Sequence, residues 1–342
     1  MNIDKLLNKI KDPIFNEPLS KISTSVVQGD QLTLKTKVPL ETSVEELTAS
    51  ILEKTNPDIK TVKIKKAITT YQTQIPNTKI DGVKNIIAVA SGKGGVGKTT
   101  CAVNLALALS ALGANVGIFD ADIYGPNVPL KLGIKTEQAE VTKNNRFLPI
   151  RIQGLQVMSI ALLMDQEKPM IWRGPILSNT LQQLIKQTAW DDLDYLIVDL
   201  PPGTGDTQLT LSQKIPVVGV VVVTTPHDMA NQDALKGIKM FEKLTIPVLG
   251  LIQNMDYFEC PKCQHREDLL NHVGGSKLEK EHKIKTFAKL PIAKEMALSL
   301  YSSNKGFDQY KVLFDQIAVK LLKGLMLIKP HPSANMPNIT IV

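Results

Sequence analysis

The residue types and spacings that can do chemistry fall in a few short stretches. The first is Gly92-Lys93-Gly94-Gly95-Val96-Gly97-Lys98-Thr99, followed by Thr100. It fits G-x-x-x-x-G-K-[ST] and stands between an apolar run at 86–90 and a helical stretch at 99–112 that ends at Gly113. Glycines there let backbone N–H groups turn inward around phosphates, and a helix N-terminus adds positive potential. On that reading Lys98 reaches the β- and γ-phosphates, and the Thr99 hydroxyl binds Mg²⁺. Asp199 closes the apolar run YLIVD and precedes the turn Pro201-Pro202-Gly203-Thr204-Gly205-Asp206. A carboxylate at a strand's carboxyl end lies near such a magnesium, and the turn can move when the γ-phosphate leaves. Asp120 and Asp122 follow another apolar run in DADIYGP, and Asn254 closes PVLGLIQN.

Two of the chain's three cysteines form Cys260-Pro261-Lys262-Cys263. In a turn, both thiolates can face one metal, but structural zinc and iron–sulfur sites usually take four ligands. His265 and His272 lie nearby at a spacing that no standard zinc site uses. A two-fold dimer would complete the set from two chains. A bridging iron–sulfur cluster, a zinc site and a redox or structural pair are all open at this point. Cys101, just inside the helix after the glycine loop, reads as core.

These residues need strands and helices to hold them. Apolar runs at 86–90, 116–120, 195–199, 217–223 and 248–254 alternate with or precede helical stretches at 99–112, 176–188, 231–244 and 307–325. Strands apolar on both faces, alternating with helices, predict a parallel sheet covered on both sides. Residues 1–70 differ. They predict a small α+β domain with an amphipathic start, a strand pair at 25–37, a helix at 43–53 with Ser43 and Glu46 as its capping box, and a strand at 61–68. Within the last, KTVKIKK reads as an edge strand with a solvated face. The polar stretch 71–84 reads as a linker, and 85–342 as the second domain.

The 342 residues carry a net charge of +7 without concentrating it, and 43% hydrophobic residues is ordinary globular usage. The longest apolar run, VVGVVVV at 217–223, is far below the ~20 residues of a membrane span. The start of the chain shows no signal-peptide pattern, and so few cysteines suggest a reducing compartment. The expectation is a cytoplasmic protein with neither membrane nor nucleic acid as partner.

From residue 85 onward the chain resembles the Mrp/ApbC family of ATP-dependent iron–sulfur cluster carriers. The matching stretches include SGKGGVGKTT, DADIYGPNVP, WRGPILSNTLQQL, YLIVDLPPGTGDTQLTL and FECPKC, in consistent order. Residues 1–70 look like a diverged MIP18-type domain, here without cysteine. The resemblance implies an α/β fold, a P-loop NTPase of the wider MinD/ParA group with a mainly parallel sheet. It implies a homodimer using ATP and Mg²⁺ that shares a 4Fe–4S cluster on Cys260 and Cys263. Partners would be an upstream cluster scaffold and apo iron–sulfur proteins. By the same resemblance, residues 92–100 cradle the nucleotide and Lys93 reaches the one bound by the partner subunit. Asp122 orients the attacking water, Asp120 lies near the Mg²⁺ shell with Thr99 and Asp199, and Asn254 contacts the base. Gln253 and Asp256 depart from the commoner Glu and Ser of the family. The alternative is a MinD/ParA-like positioning ATPase on membrane or DNA. It would share the nucleotide residues but has no use for CPKC, and the tail after Leu325 lacks a basic amphipathic helix.

Overall fold

The computed structural model describes residues 3–40, 44–54, 59–76, 78–123, 125–135, 137–163, 174–268, 278–279, 282–297, 301 and 308–331. Among them, contacts group 3–70 with 111–114 in one unit, and 71–110 with 115–331 in another.

The first unit begins with helices α1 (Ile3–Leu7) and α2 (Leu19–Ile22). Strands β1 (Ser23–Gln28) and β2 (Gln31–Thr36) follow, then helix α3 (Val44–Lys54) and strand β3 (Thr61–Lys66). β1 and β2 pair antiparallel through a turn at Gly29, whose φ of +62° suits glycine, and β3 pairs parallel with β2 as the sheet's edge. Leu32 and Leu34 of β2 are buried, as are Leu47 and Ile51, one turn apart on α3. The solvated edge expected of KTVKIKK is present, with Lys63 and Lys65 exposed. Ser43 lies outside the described residues.

The second unit is built on a nine-stranded sheet. Its elements run β4 (Val83–Ser91), α4 (Lys98–Ala111), β5 (Val116–Asp120), α5 (Val128–Leu132), β6 (Ile150–Ile152), β7 (Leu155–Ser159) and α6 (Gly174–Gln187). Then come β8 (Leu193–Asp199), α7 (Asp206–Lys214), β9 (Gly219–Thr224), α8 (Asp228–Lys243), β10 (Val248–Glu259), β11 (Arg266–Glu267), β12 (Thr286–Ile292) and α9 (Asp308–Leu325). The order is β11-β10-β9-β4-β8-β5-β7-β6, with β12 beside β10. All pairings are parallel except β6–β7 and β10–β11. Every residue of β5, β8 and β9 is buried. That is the signature of a parallel sheet covered on both faces, as expected. α6, α7 and α8 share one core with it through Leu181, Ile185, Leu211, Ala234, Ile238 and Phe241, while α9 packs on β10 and β12.

Two local readings change. The stretch 71–84, polar enough to suggest a linker, is tied along this unit. The Tyr71 N–H donates to Asn85 Oδ1 at 3.0 Å, and Gln74 Nε2 donates to the carbonyls of Ser212 and Ile215 at 2.8 Å. Ile80 is buried in the core, and β4 begins at Val83. Asn254 does not end its strand. β10 turns at Met255, whose φ is +56°, and continues to Glu259 because β12 on one side and β11 at the tip supply new pairing partners.

Candidate functional site

β4 ends at Ser91 and α4 begins at Lys98, so the loop between them lies at the carboxyl end of the sheet. That crevice is where open α/β sheets hold ligands. Gly95 and Gly97 take φ of +80° and +83°, positions closed to most side chains. Gly94 and Gly95 face open space. Gly92 is packed the other way. A Cβ there would stand 2.3 Å from the Asp233 backbone carbon and 2.5 Å from the Ala234 nitrogen, so the loop is seated against α8. Ser91 Oγ donates to the Lys93 carbonyl at 3.0 Å, and the Thr100 carbonyl accepts from Asn104 Nδ2 at 3.0 Å.

The two residues after Gly97 converge on one carboxylate. Lys98 Nζ donates to Asp199 Oδ1 at 2.6 Å, and Thr99 Oγ1 donates to Asp199 Oδ2 at 2.6 Å. Lys98 also lies 3.8 Å from Asp122 Oδ2. Lys98 and Asp199 are both buried. Such a pair holds only because each neutralises the other. The Lys93 side chain is half-buried and forms no ion pair among the described residues.

Asp120 and Asp199 are register partners on β5 and β8. The Asp120 carboxylate serves the loop after β5. Oδ1 accepts from the Asp122 N–H at 3.1 Å, and Oδ2 accepts from the Val128 N–H at 3.1 Å and from Ser159 Oγ at 3.3 Å. Burial, and then the negative charge of Asp199, push its carboxyl up to about 8. A bound divalent cation reverses that direction by favouring the charged form. Ser159, at the end of β7, escapes sequence reasoning because a strand-end serine carries no signal of its own.

Mg²⁺ fits this donor set. A hydroxyl and carboxylate oxygens are the hard donors it takes, and it commonly keeps water and phosphate oxygens for the rest. Among the described residues no group of three or more His, Cys, Asp and Glu is arranged to hold a metal ion. Thr99 and Asp199 would hold magnesium together with the nucleotide's own oxygens.

Asn254 Nδ2 donates to the Val96 carbonyl at 2.9 Å from a buried position. A Cβ on Gly97 would meet that same nitrogen at 2.2 Å. The structure thus places Asn254 directly against the phosphate loop. From there β10 leads to the cysteines. Buried Asp256 accepts a short hydrogen bond from Gln253 Nε2 and faces Arg266 at 3.7 Å and Lys289 at 3.8 Å. The Arg266 guanidinium lies over the Tyr257 ring at 3.7 Å from its centroid. Gln253 and Asp256, which stand out only as departures from a family pattern, therefore brace the base of a hairpin.

The tip of that hairpin is Cys260-Pro261-Lys262-Cys263. The Cys260 N–H donates to the His265 carbonyl at 2.9 Å, and the Gln264 N–H donates to the Cys260 carbonyl at 2.8 Å. Phe258 and Glu259 pair with Glu267 and Arg266. The neighbouring backbone N–H groups of Cys263 and Lys262, and then the Cys263 thiol, pull the Cys260 thiol below its ordinary value. Cys260 is partly exposed and Cys263 exposed, whereas Cys101 is buried. His265 faces Glu267 at 3.1 Å. His272, Trp172 and Arg173 lie outside the described residues.

A phosphate loop at the carboxyl end of a mainly parallel sheet, with a strand-end aspartate behind its lysine and threonine, defines a P-loop NTPase. The ParA family, in its description as NUBPL iron-transfer P-loop NTPase, matches residues 82–321, and the chain belongs to that family. It is 54% identical over 226 residues to an iron-sulfur cluster carrier protein of Pseudomonas fragi, covering 66% of this chain and 78% of that one. To the carrier protein of Haemophilus influenzae it is 45% identical over 290 residues, 82% of this chain and 77% of the other. To the mouse iron-sulfur cluster transfer protein NUBPL it is 42% identical over 260 residues, 73% and 81% of the two chains. A nucleotide-binding protein of Archaeoglobus fulgidus, solved with ADP, superposes with a TM-score of 0.57 at 34% identity, covering 70% of this chain and 89% of that one. The cell division ATPase MinD of Pyrococcus furiosus shares the fold, with a TM-score of 0.53 at 20% identity over 70% and 98% of the chains.

Proposed function

We propose that two copies of this chain form an ATP-hydrolysing homodimer that carries a 4Fe–4S cluster. It takes the cluster from an upstream scaffold and passes it to apo iron–sulfur proteins, in a cytoplasmic setting. The observation that carries this reading is the pair Cys260, partly exposed, and Cys263, exposed, in the turn of the β10–β11 hairpin, with the Cys260 thiol pulled below its ordinary value chiefly by neighbouring backbone N–H groups. N–H groups aimed at a sulfur stabilise the thiolate, the form that binds metal. Each chain offers two accessible sulfurs, Cys260 and Cys263, and a two-fold axis between copies supplies four. Transfer is then ligand exchange at iron, client thiolates replacing those of Cys260 and Cys263 without net oxidation. The names of the carrier and transfer relatives support the same cargo.

On the nucleotide side, residues 92–100 cradle the ATP phosphates. Lys98 leaves Asp199 to meet the β- and γ-phosphates, and Thr99 and Asp199 hold Mg²⁺. When bound, that ion neutralises charge on the β- and γ-oxygens. Asp122, 3.8 Å from the Lys98 ammonium, orients the attacking water. Asp120 acts through hydrogen bonds to the loop that carries Asp122, and so at the edge of the magnesium shell. Lys93, which forms no ion pair among the described residues, reaches the nucleotide of the partner subunit. Asn254 keeps the phosphate loop in place beside the nucleotide base.

The deciding experiment is iron and acid-labile sulfide per chain after anaerobic reconstitution. About two irons per chain, lost in Cys260→Ser/Cys263→Ser, is the expected result for a cluster shared by a dimer. Zinc without iron would reduce the cysteines to a structural clamp, and a positioning role would take its place.

A further inference from the structure

Between α7 and α8 runs a groove of about 400 Å³, lined by Leu209, Lys236, Lys239, Met240, Lys243 and Leu244. Four of these six residues lie on α8 at positions 236, 239, 240 and 243, with Leu244 as its C-cap, the spacing of one helical face. Met240 and Leu244 form its floor, half-buried and packed on the core beneath. Leu209 of α7 closes the other wall. Lysines surround this apolar strip. Lys236 is 67% exposed and paired with Asp233 at 2.9 Å, while Lys239 and Lys243 have no ion pair among the described residues. Glu242, the other acidic residue of the last turns, lies about 120° around the helix axis from the strip. A solvated helix face needs lysines but not an open apolar strip between them. An apolar floor inside a cationic rim fits a ligand with apolar anchors and acidic flanks.

We infer that this groove docks an acidic amphipathic helix of a partner protein. The floor from Lys236 to Leu244 is about 12 Å long, room for two turns of a partner helix. Its anchors would enter at i, i+3 or i+4 and i+7, with Glu or Asp on either side meeting Lys236, Lys239 and Lys243. The geometry also ties the groove to the nucleotide site. The backbone of Asp233 and Ala234, one turn before Lys236, is what Gly92 abuts, and a Cβ on Gly237 would lie 3.7 Å from Thr204 in the Pro/Gly turn. This surface is independent of the cysteine hairpin, and its partner need not be a cluster recipient.

The test is fluorescence anisotropy with the full chain and a labelled synthetic helix of about five turns, Leu at i, i+4 and i+7 and Glu elsewhere on that face. Saturable binding is expected, falling at least about tenfold in Lys236→Glu/Lys239→Glu/Lys243→Glu and in Met240→Glu, and weakening with added salt. Circular dichroism and retained ATP binding show that the variants are folded. Equal binding by wild type and triple variant, equal binding of a peptide with Lys for Glu, or no binding at all would overturn the inference. So would co-sedimentation of wild type but not the triple variant with phosphatidylglycerol vesicles, which would assign the surface to a membrane. Loss of dimer in the triple variant by sedimentation velocity would assign it instead to a second copy.

Discussion

Asn254 Nδ2 stands 2.9 Å from the Val96 carbonyl, so a residue in the middle of β10 holds the phosphate loop. Six positions further along the same strand and its turn is Cys260. One continuous backbone thus joins the contact to the nucleotide loop and the first cysteine of the hairpin, with Asp256 braced between them.

Asn254→Ala removes that donor and leaves the buried Val96 carbonyl without it. The expected cost is about 1–3 kcal/mol of stability, together with weaker nucleotide binding. Thermal unfolding and titration with a fluorescent ATP analogue check both. Unchanged affinity would show that the contact does not shape the loop.

Gly92→Ala tests the seat of the loop on α8. Its Cβ would meet the backbone of Asp233 and Ala234 at 2.3 and 2.5 Å, and backbone cannot swing aside as a side chain can. Overpacking of this kind costs about 1–3 kcal/mol, so a lowered Tm and weakened nucleotide binding are expected. Gly94→Ala, facing open space, serves as the mild comparison.

Lys98→Ala and Lys93→Ala should separate binding from turnover. Lys98 is buried against Asp199, and its loss leaves that carboxylate unpaired, so nucleotide affinity and stability both fall. Lys93→Ala should keep affinity and slow phosphate release by about a thousandfold or more, the order of effect of a cation supplied to the transferring phosphoryl group. Equal loss of affinity in the two variants would contradict a role for Lys93 across a dimer.

Cys263→Ser should abolish cluster binding and leave ATP binding near wild type, since Cys263 lies in the turn beyond β10 and forms no part of the phosphate loop. Asp256→Asn should act at an intermediate level. It weakens the hold on Arg266 and Lys289, and the expected outcome is faster loss of the cluster absorbance with unchanged nucleotide affinity. If both variants lose ATP binding, the hairpin is a structural part of the nucleotide domain.

Cys101 offers a pH test of the core. Burial, then the nearby Asp199, pushes its thiol from the ordinary 9.0 up to about 12 in the folded chain. The folded state therefore keeps a proton that the unfolded chain releases. Stability from this group is full below about pH 9 and declines as pH rises toward 12. Iodoacetamide with mass spectrometry should label Cys260 and Cys263 in the native apo chain and Cys101 only after unfolding. Rapid native labelling of Cys101 would refute its burial.

The phosphate loop, the aspartates after apolar strands and the cysteine pair were legible from residue order alone. Each depends on local rules: glycines that permit positive φ, a lysine and hydroxyl at a helix start, and two thiols within one turn. Strand alternation with helices likewise announced a parallel sheet, because strands buried on both faces must be apolar throughout. What residue order left undecided rests on contacts between distant positions. It did not reveal that Asp120 would spend its oxygens on Asp122, Val128 and Ser159, or that polar residues 71–84 would bind along the nucleotide unit. Nor did it show β10 running past Asn254, since that continuation depends on pairing with β11 and β12. Hydrogen bonds between residues more than a hundred positions apart, such as Asn254 to Val96, leave no periodicity to read. Only the packed sheet decides them.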